Sequence, residues 1–143
     1  MATVESVEYA KVNSSPPTLQ DIALWGGNVH AKCATYEASA LAADDVIQMI
    51  DVKDGDVVME VILAVDDLGT GMTMDVGDGG NVDRYIDGAD TSAATFFRMG
   101  SAGTEIGGMG YQYTADDTID CLNLGTAATG TIVLTVFYCP VGG

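Results

Sequence analysis

Between Val46 and Tyr138 the chain is written in short apolar runs, each cut off by glycine or aspartate, and no stretch keeps a helical period with caps at its ends. That punctuation constrains the fold more than any other feature. Short alternating runs with turn residues between them make antiparallel strands, and several at regular spacing predict a sandwich or barrel. A doubly wound α/β fold needs helices between its strands, and the sequence leaves no room for them. The expected fold class is all-β: an antiparallel β-sandwich, jelly-roll-like, with an extended N-terminal arm over residues 1–27 and the sandwich domain over residues 28–143.

The longest apolar run is Val57–Val65, interrupted only by Glu60. A glycine-containing turn at residues 66–71 and a second apolar segment at residues 72–76 follow, so the two segments read as a β-hairpin. The next corner, Gly77-Asp78-Gly79-Gly80, predicts a backbone with positive φ, which glycine tolerates. Residues 82–86 then read as a strand and residues 87–91 as a turn. Upstream, residues 28–38 and Val46–Val52 read as strands with a loop at residues 39–45. Downstream, residues 93–99, 111–114 and 118–124 read as strands, with a glycine-rich loop at residues 100–110. Residues 131–138 form the clearest strand. Ile132, Leu134, Val136 and Tyr138 share one face; Thr131, Val133, Thr135 and Phe137 share the other. Both faces are apolar, which places this strand at the centre of its sheet or beneath a neighbour.

The arm carries sparse apolar residues, Val4, Val7 and Tyr9, before Ser14-Ser15-Pro16-Pro17 breaks regular structure. An arm that buries little within its own domain is disordered or laid on a neighbour. Trp25, the only tryptophan, closes one end of the core or anchors a subunit contact, where Trp is enriched. With Met109 and Tyr111 at the loop tip, Val4, Val7, Tyr9 and Trp25 are the expected contact residues.

Charge narrows the function classes. There are 5 basic and 21 acidic residues, a formal net charge of -16. Phosphate contacts need clustered Lys and Arg, so the balance argues against nucleic-acid partners, and it argues equally against docking on anionic lipid. No apolar run approaches the roughly 20 residues of a membrane span, and no basic start followed by an apolar stretch marks a signal peptide. Synthesis and folding in cytoplasm are expected. The 3 cysteines include no C-x-x-C pair, and with one histidine a zinc site is disfavoured. An odd count prevents complete pairing within the chain. Buried free thiols are the plain reading; a disulfide between subunits is the sharper one, with Cys139 the first candidate and Cys33 the second.

Catalytic signatures are absent from the sequence. Gly77-Asp78-Gly79-Gly80 is neither a dinucleotide fingerprint nor a P-loop, and His30 has no partner motif. No cofactor is expected. Asp75, Asp78 and Asp83 flank the glycine corner and form a weak calcium candidate, since calcium takes several oxygen ligands from loops. The spacing does not match an EF-hand, Arg84 stands ready to pair with one of these carboxylates, and solvated turn aspartates are the default.

A resemblance runs through most of the chain. It is carried by Tyr36-Glu37-Ala38-Ser39-Ala40-Leu41-Ala42-Ala43, Val61-Ile62-Leu63-Ala64-Val65-Asp66-Asp67-Leu68-Gly69, Val76-Gly77-Asp78 with Asp83-Arg84-Tyr85-Ile86, Tyr111-Gln112-Tyr113-Thr114-Ala115, and Ala128-Thr129-Gly130-Thr131-Ile132 with Val136-Phe137-Tyr138. This pattern resembles the capsid decoration, or cement, proteins of tailed bacteriophages. The resemblance implies a non-enzymatic structural virion protein, made in the cytoplasm of a host bacterium and bound to the outside of an icosahedral capsid. Its implied partners are the major capsid protein and copies of itself, a homotrimer ahead of a dimer. The alternative is a fibre or spike component that binds a host-surface glycan, for which Tyr111 and Tyr113 are the candidate stacking residues.

Overall fold

The computed structural model describes residues 2–17, 26–101 and 106–141. Nine strands form two antiparallel sheets: β1 (His30–Leu41), β2 (Val46–Val52), β3 (Val57–Val65), β4 (Thr73–Asp78), β5 (Ile86–Asp90), β6 (Thr95–Arg98), β7 (Tyr111–Gln112), β8 (Asp117–Asn123) and β9 (Ala128–Cys139). The first sheet has the order β1-β9-β3-β6, with β7 pairing beside β3; the second has the order β2-β8-β4-β5. The chain passes back and forth between the sheets, which is jelly-roll connectivity. The all-β sandwich expected from the sequence is the observed architecture.

Strand periodicity explains the core. In β9, Ile132, Leu134 and Val136 point inward and are fully buried. Their neighbours in β3, Val61, Leu63 and Val65, do the same. From the second sheet come Ile47, Ile50, Met74, Val76, Ile119 and Cys121, forming one continuous cluster. Each such side chain contributes about 1.5–3 kcal/mol on leaving water. β9 lies between β1 and β3, in the central position that its two apolar faces predict.

Five local expectations are corrected. β3 and β4 are not a hairpin, because they belong to different sheets. The intervening segment crosses the sandwich: Leu68 and Met72 are buried, and Thr91 ties the segment down, its carbonyl accepting from the Leu68 amide at 3.0 Å and its amide donating to the Met72 carbonyl at 2.9 Å. The expected strand at residues 82–86 is mostly turn, and the expected turn at residues 87–91 lies largely in β5. The glycine corner does not need positive φ. Gly77 is required by space, since an added Cβ would fall 2.1 Å from the Asn81 carbonyl oxygen. Finally, the expected loop at residues 39–45 begins as strand, because β1 continues to Leu41 through a bulge. Ala40 takes φ 53° there, and its amide donates to Thr129 Oγ1 at 3.1 Å instead of to the ladder.

The arm is not extended throughout. Val7–Val12 forms a short helix, α1, capped by Ser6, whose side chain accepts from the Tyr9 amide at 3.1 Å. The helix ends before the Ser-Ser-Pro-Pro stretch.

Candidate functional site

The most organised polar group of the molecule lies between β4, the turn that follows it and the segment after β7. Asp78, whose side chain is 1% exposed, points inward opposite Ile119. Arg84 Nε donates to its Oδ2 at 2.5 Å and Arg84 Nη2 to its Oδ1 at 3.2 Å. The amides of Gly80 and Asn81 donate to Oδ1, and the Tyr113 hydroxyl donates to Oδ2 at 3.0 Å. The Tyr85 and Tyr113 hydroxyls are 2.7 Å apart. Burial by itself would raise the Asp78 pKa; the bonds from Arg84, Asn81 and Tyr113 outweigh it and hold the carboxyl below its ordinary value. Burial pushes both tyrosine hydroxyls up. Arg84 also lies over the Tyr111 ring, 3.7 Å from its centroid. Every strong hydrogen-bonding site of Asp78 is taken from within the chain. This is a structural lock that ties the β4–β5 turn to the segment after β7.

That lock engages one of the three calcium candidates. Asp75 and Asp78 sit three residues apart on one strand and so face opposite sides of it. Asp78 is inward and bound to Arg84. Asp75 lies on the other side of the strand, itself buried, and accepts from the Gly88 amide at 2.7 Å. Asp83 lies in the following turn. Among the described residues no three acidic, histidine or cysteine side chains converge on a point that holds a metal.

The expected contact residues are scattered. Val4, Val7 and Tyr9 are exposed by 87%, 65% and 49% on the arm; Val4 and Tyr9 line a shallow concavity with Thr3, Glu5 and Ser6. Met109 is exposed, but Tyr111 is half-buried under Arg84. Trp25 lies outside the described residues. Tyr113 is buried and meets Tyr111 edge-on at 5.1 Å, so this pair is a packing unit with no two free faces for a sugar ring. Cys139, the first disulfide candidate, is buried against Val57, whereas Cys33 is exposed. Closeness to the C-terminus does not put Cys139 on the surface, because it is the last ladder residue of β9 and pairs with Val57.

Sequence reasoning missed the contrast between the outer faces of the two sheets. In an antiparallel ladder, directly paired residues share a face. The outer face of the first sheet therefore reads in rows: Ala31, Phe137 and Glu60; then Cys33, Thr135, Ile62 and Arg98; then Thr35, Val133, Ala64 and Phe96. Its only charges within those rows, Glu60 and Arg98, pair with each other at 2.5 Å. The second sheet turns Gln48 and Asp120, Asp75 and Leu122, Gly77, Thr73 and Asp90 outward. Asp75 and Asp120 have raised pKa values, chiefly from burial, with Asp87 and Asp83 adding to Asp75 and Asp117 and Asp78 adding to Asp120. The first sheet's outer face mixes apolar and small polar residues, and its next row adds Glu37, which accepts from Thr131 Oγ1 at 3.0 Å; the second sheet's outer face carries more carboxylates.

No family model and no curated protein matches the sequence. Solved structures do. A chain of the Ralstonia phage GP4 capsid is similar with a TM-score of 0.65 and 25% identity, over 82% of this chain and 87% of that one. A chain of the cyanophage Pam1 capsid asymmetric unit is similar with a TM-score of 0.70 and 21% identity, over 98% of this chain and 99% of that one. A chain of the Helicobacter pylori bacteriophage KHP30 capsid is similar with a TM-score of 0.59 and 12% identity, over 78% and 86%. This sandwich is thus the fold of proteins that stand in phage capsids.

Proposed function

We propose that the chain is a decoration protein of a tailed-phage particle, bound to the outside of the capsid lattice through the major capsid protein and through copies of itself. The observation that carries the reading is end-to-end likeness. The likeness covers 98% of this chain and 99% of the Pam1 capsid chain, so it takes in the whole sandwich. The physical chemistry of the surface supports it. A net charge of -16 keeps a protein soluble at high copy number and keeps coated particles apart. Lattice symmetry supplies many equal sites, so each contact can be modest while the sum is stable. The protein is made in the host bacterial cytoplasm and acts at the particle exterior, without catalysis.

The test is the copy number per purified particle, measured by quantitative mass spectrometry against the major coat protein. A simple fraction of the coat number is the expected result. A handful of copies would move the chain to a fibre or spike, with a glycan as its partner. Absence from particles would overturn the virion reading.

A further inference from the structure

A strand at the edge of a sheet presents unpaired backbone groups, and folds protect such edges with short strands, bulges, charges or covering side chains. The two sheets end in four strands, and three of them are protected in this way. β6 has 4 residues, and β7 beside it has 2. β5 has 5, carries Asp87 and Asp90, and shifts register against β4. β2 shifts register between Gln48 and Ile50, and its Asp51 carbonyl accepts from Lys32 Nζ at 2.7 Å. β1 is the exception. It runs for 12 residues without a proline and keeps unbroken register with β9 from His30 to Ala38. Its lysine, Lys32, is turned away to Asp51 and does not guard it. From this contrast we infer that the free edge of β1 receives an extended, cationic segment of another polypeptide, which adds to the first sheet as a further strand.

Register says which groups are on offer. The Asp66 amide donates to the Thr131 carbonyl at 3.0 Å. Odd-numbered residues of β9 therefore turn their backbone groups toward β3, and even-numbered ones turn theirs toward β1. In β1 the residues paired with those even positions, such as Lys32, Ala34 and Tyr36, are held by the β9 ladder. The N–H and C=O groups of Ala31, Cys33, Thr35 and Glu37 point the other way. All four residues are exposed, and no described segment bonds to those backbone groups. Main-chain donors and acceptors repeating along one edge fit an extended peptide. Charge selects its side chains. Lys32, Lys53, Arg84 and Arg98 of the sandwich already pair with carboxylates of this chain. Glu37, at the end of the free edge, faces only the Thr131 hydroxyl at 3.0 Å. A lysine or arginine opposite Glu37 completes a cross-strand pair, and a net charge of -16 draws a cationic segment in while repelling a second copy. The inference needs only the backbone and charge of this chain and stands apart from the decoration reading, under which the coat protein supplies the strand.

The experiment is an NMR titration of the full chain with a model strand, the acetylated and amidated peptide Lys-Val-Thr-Val-Lys-Val-Thr-Lys, up to about 1 mM. Two further peptides accompany it, one N-methylated at alternate residues and one with glutamate in place of lysine. The expected result is a parity signature: the amides of Ala31, Cys33, Thr35 and Glu37 shift and exchange more slowly, while those of Lys32, Ala34 and Tyr36, already in the ladder, do not. The N-methylated and glutamate peptides should each bind roughly 10-fold or more weakly. Thr35→Pro removes a donor that faces outward and leaves the β9 ladder whole, and it should weaken binding to a similar extent. Circular dichroism and a urea midpoint establish that this variant folds. Glu37→Lys leaves the backbone edge alone and should reverse the preference between the lysine and glutamate peptides. No binding, shifts centred on Asp75, Asp90 and Asp120, equal slowing of both parities, or unchanged binding by a folded Thr35→Pro variant would overturn the inference. Slowing of the same four amides with protein concentration alone would give the edge to a second copy and overturn the cationic strand. None of these outcomes depends on particles, so the copy number per particle tests the decoration reading separately.

Discussion

The two sheets of this sandwich share one core but differ on both of their faces. The β1-β9-β3-β6 sheet presents aliphatic side chains inward, Val61, Leu63, Ile132, Leu134 and Val136, and a mostly apolar face outward. The β2-β8-β4-β5 sheet mixes apolar residues inward with Asp78 and Asn123, and turns carboxylates outward. Asn123 is fully buried and donates to the carbonyls of Leu41, Ala42 and Thr126 at 2.9–3.1 Å, pinning the bulged end of β1. The difference teaches that the polar locks of the fold are concentrated in one sheet. The second sheet holds the polar locks that fix its turns. The first sheet presents only aliphatic side chains to the core from the middles of β3 and β9.

The sharpest way to break this contrast is to cut the lock. Asp78→Ala leaves the Arg84 guanidinium and the Tyr113 hydroxyl without their acceptor in a largely buried site. A loss of about 3–5 kcal/mol is expected, as for removal of one member of a buried ion pair. Tyr113→Phe removes only the hydroxyl that links Asp78 to Tyr85, and about 1–3 kcal/mol is expected for it. Urea unfolding of both variants measures the pair. An Asp78→Ala midpoint close to that of Tyr113→Phe would mean that Arg84 and its carboxylate add nothing to the lock.

How much of this was legible beforehand depends on range along the chain. The period-2 alternation of β9 announced both a strand and its central place, because each face of that strand is written in eight consecutive residues. The apolar outer face was half-legible in the same way: Val133 and Phe137 are visible as an apolar second face, but that Ile62, Ala64 and Phe96 join them follows only from register. The pairing of Arg84 with a nearby aspartate was readable from six residues of separation. Tyr85 and Tyr113 lie 28 residues apart, and no local pattern links them. The false hairpin had the same origin. Two apolar runs around a glycine turn look alike whether the chain folds back in one sheet or crosses to the other. The apolar Leu68 inside the supposed turn was the one mark of a crossing.

The acidic sheet should also give the molecule an inverted response to mild acid. Asp75 and Asp120 have folded pKa values raised above the ordinary 3.8. Protonation therefore favours the folded state, and the stability this supplies is fully present below 3.8 and lost as pH rises through their folded values. Asp78 is lowered below 3.8. Its contribution is present above that value and lost as pH falls through its folded pKa. Stability should rise from pH 7 towards about pH 4 and fall beneath it, with a gain in Tm on the order of a few degrees. Calorimetry over that range decides the point, and a Tm that falls steadily from pH 7 downward would contradict it.

Single substitutions then separate the two outer faces at the smallest scale. Asp75→Asn keeps an oxygen to accept from the Gly88 amide but removes the charge beside Asp87 and Asp83. Relief of like-charge crowding on a strand face should stabilise the fold by about 0.2–1 kcal/mol at pH 7, and the gain should shrink in high salt and vanish near pH 4. On the apolar sheet the corresponding change is Arg98→Ala, which removes the partner of Glu60 from a site where the arginine is 59% exposed. Water screens such a pair so well that the urea midpoint should match the wild type within error. The contrast sharpens if Asp75→Asn raises the midpoint while Arg98→Ala leaves it still. It breaks if Arg98→Ala is the more disruptive of the two, because the outer face of the first sheet would then rest on its ion pair and not on its apolar rows.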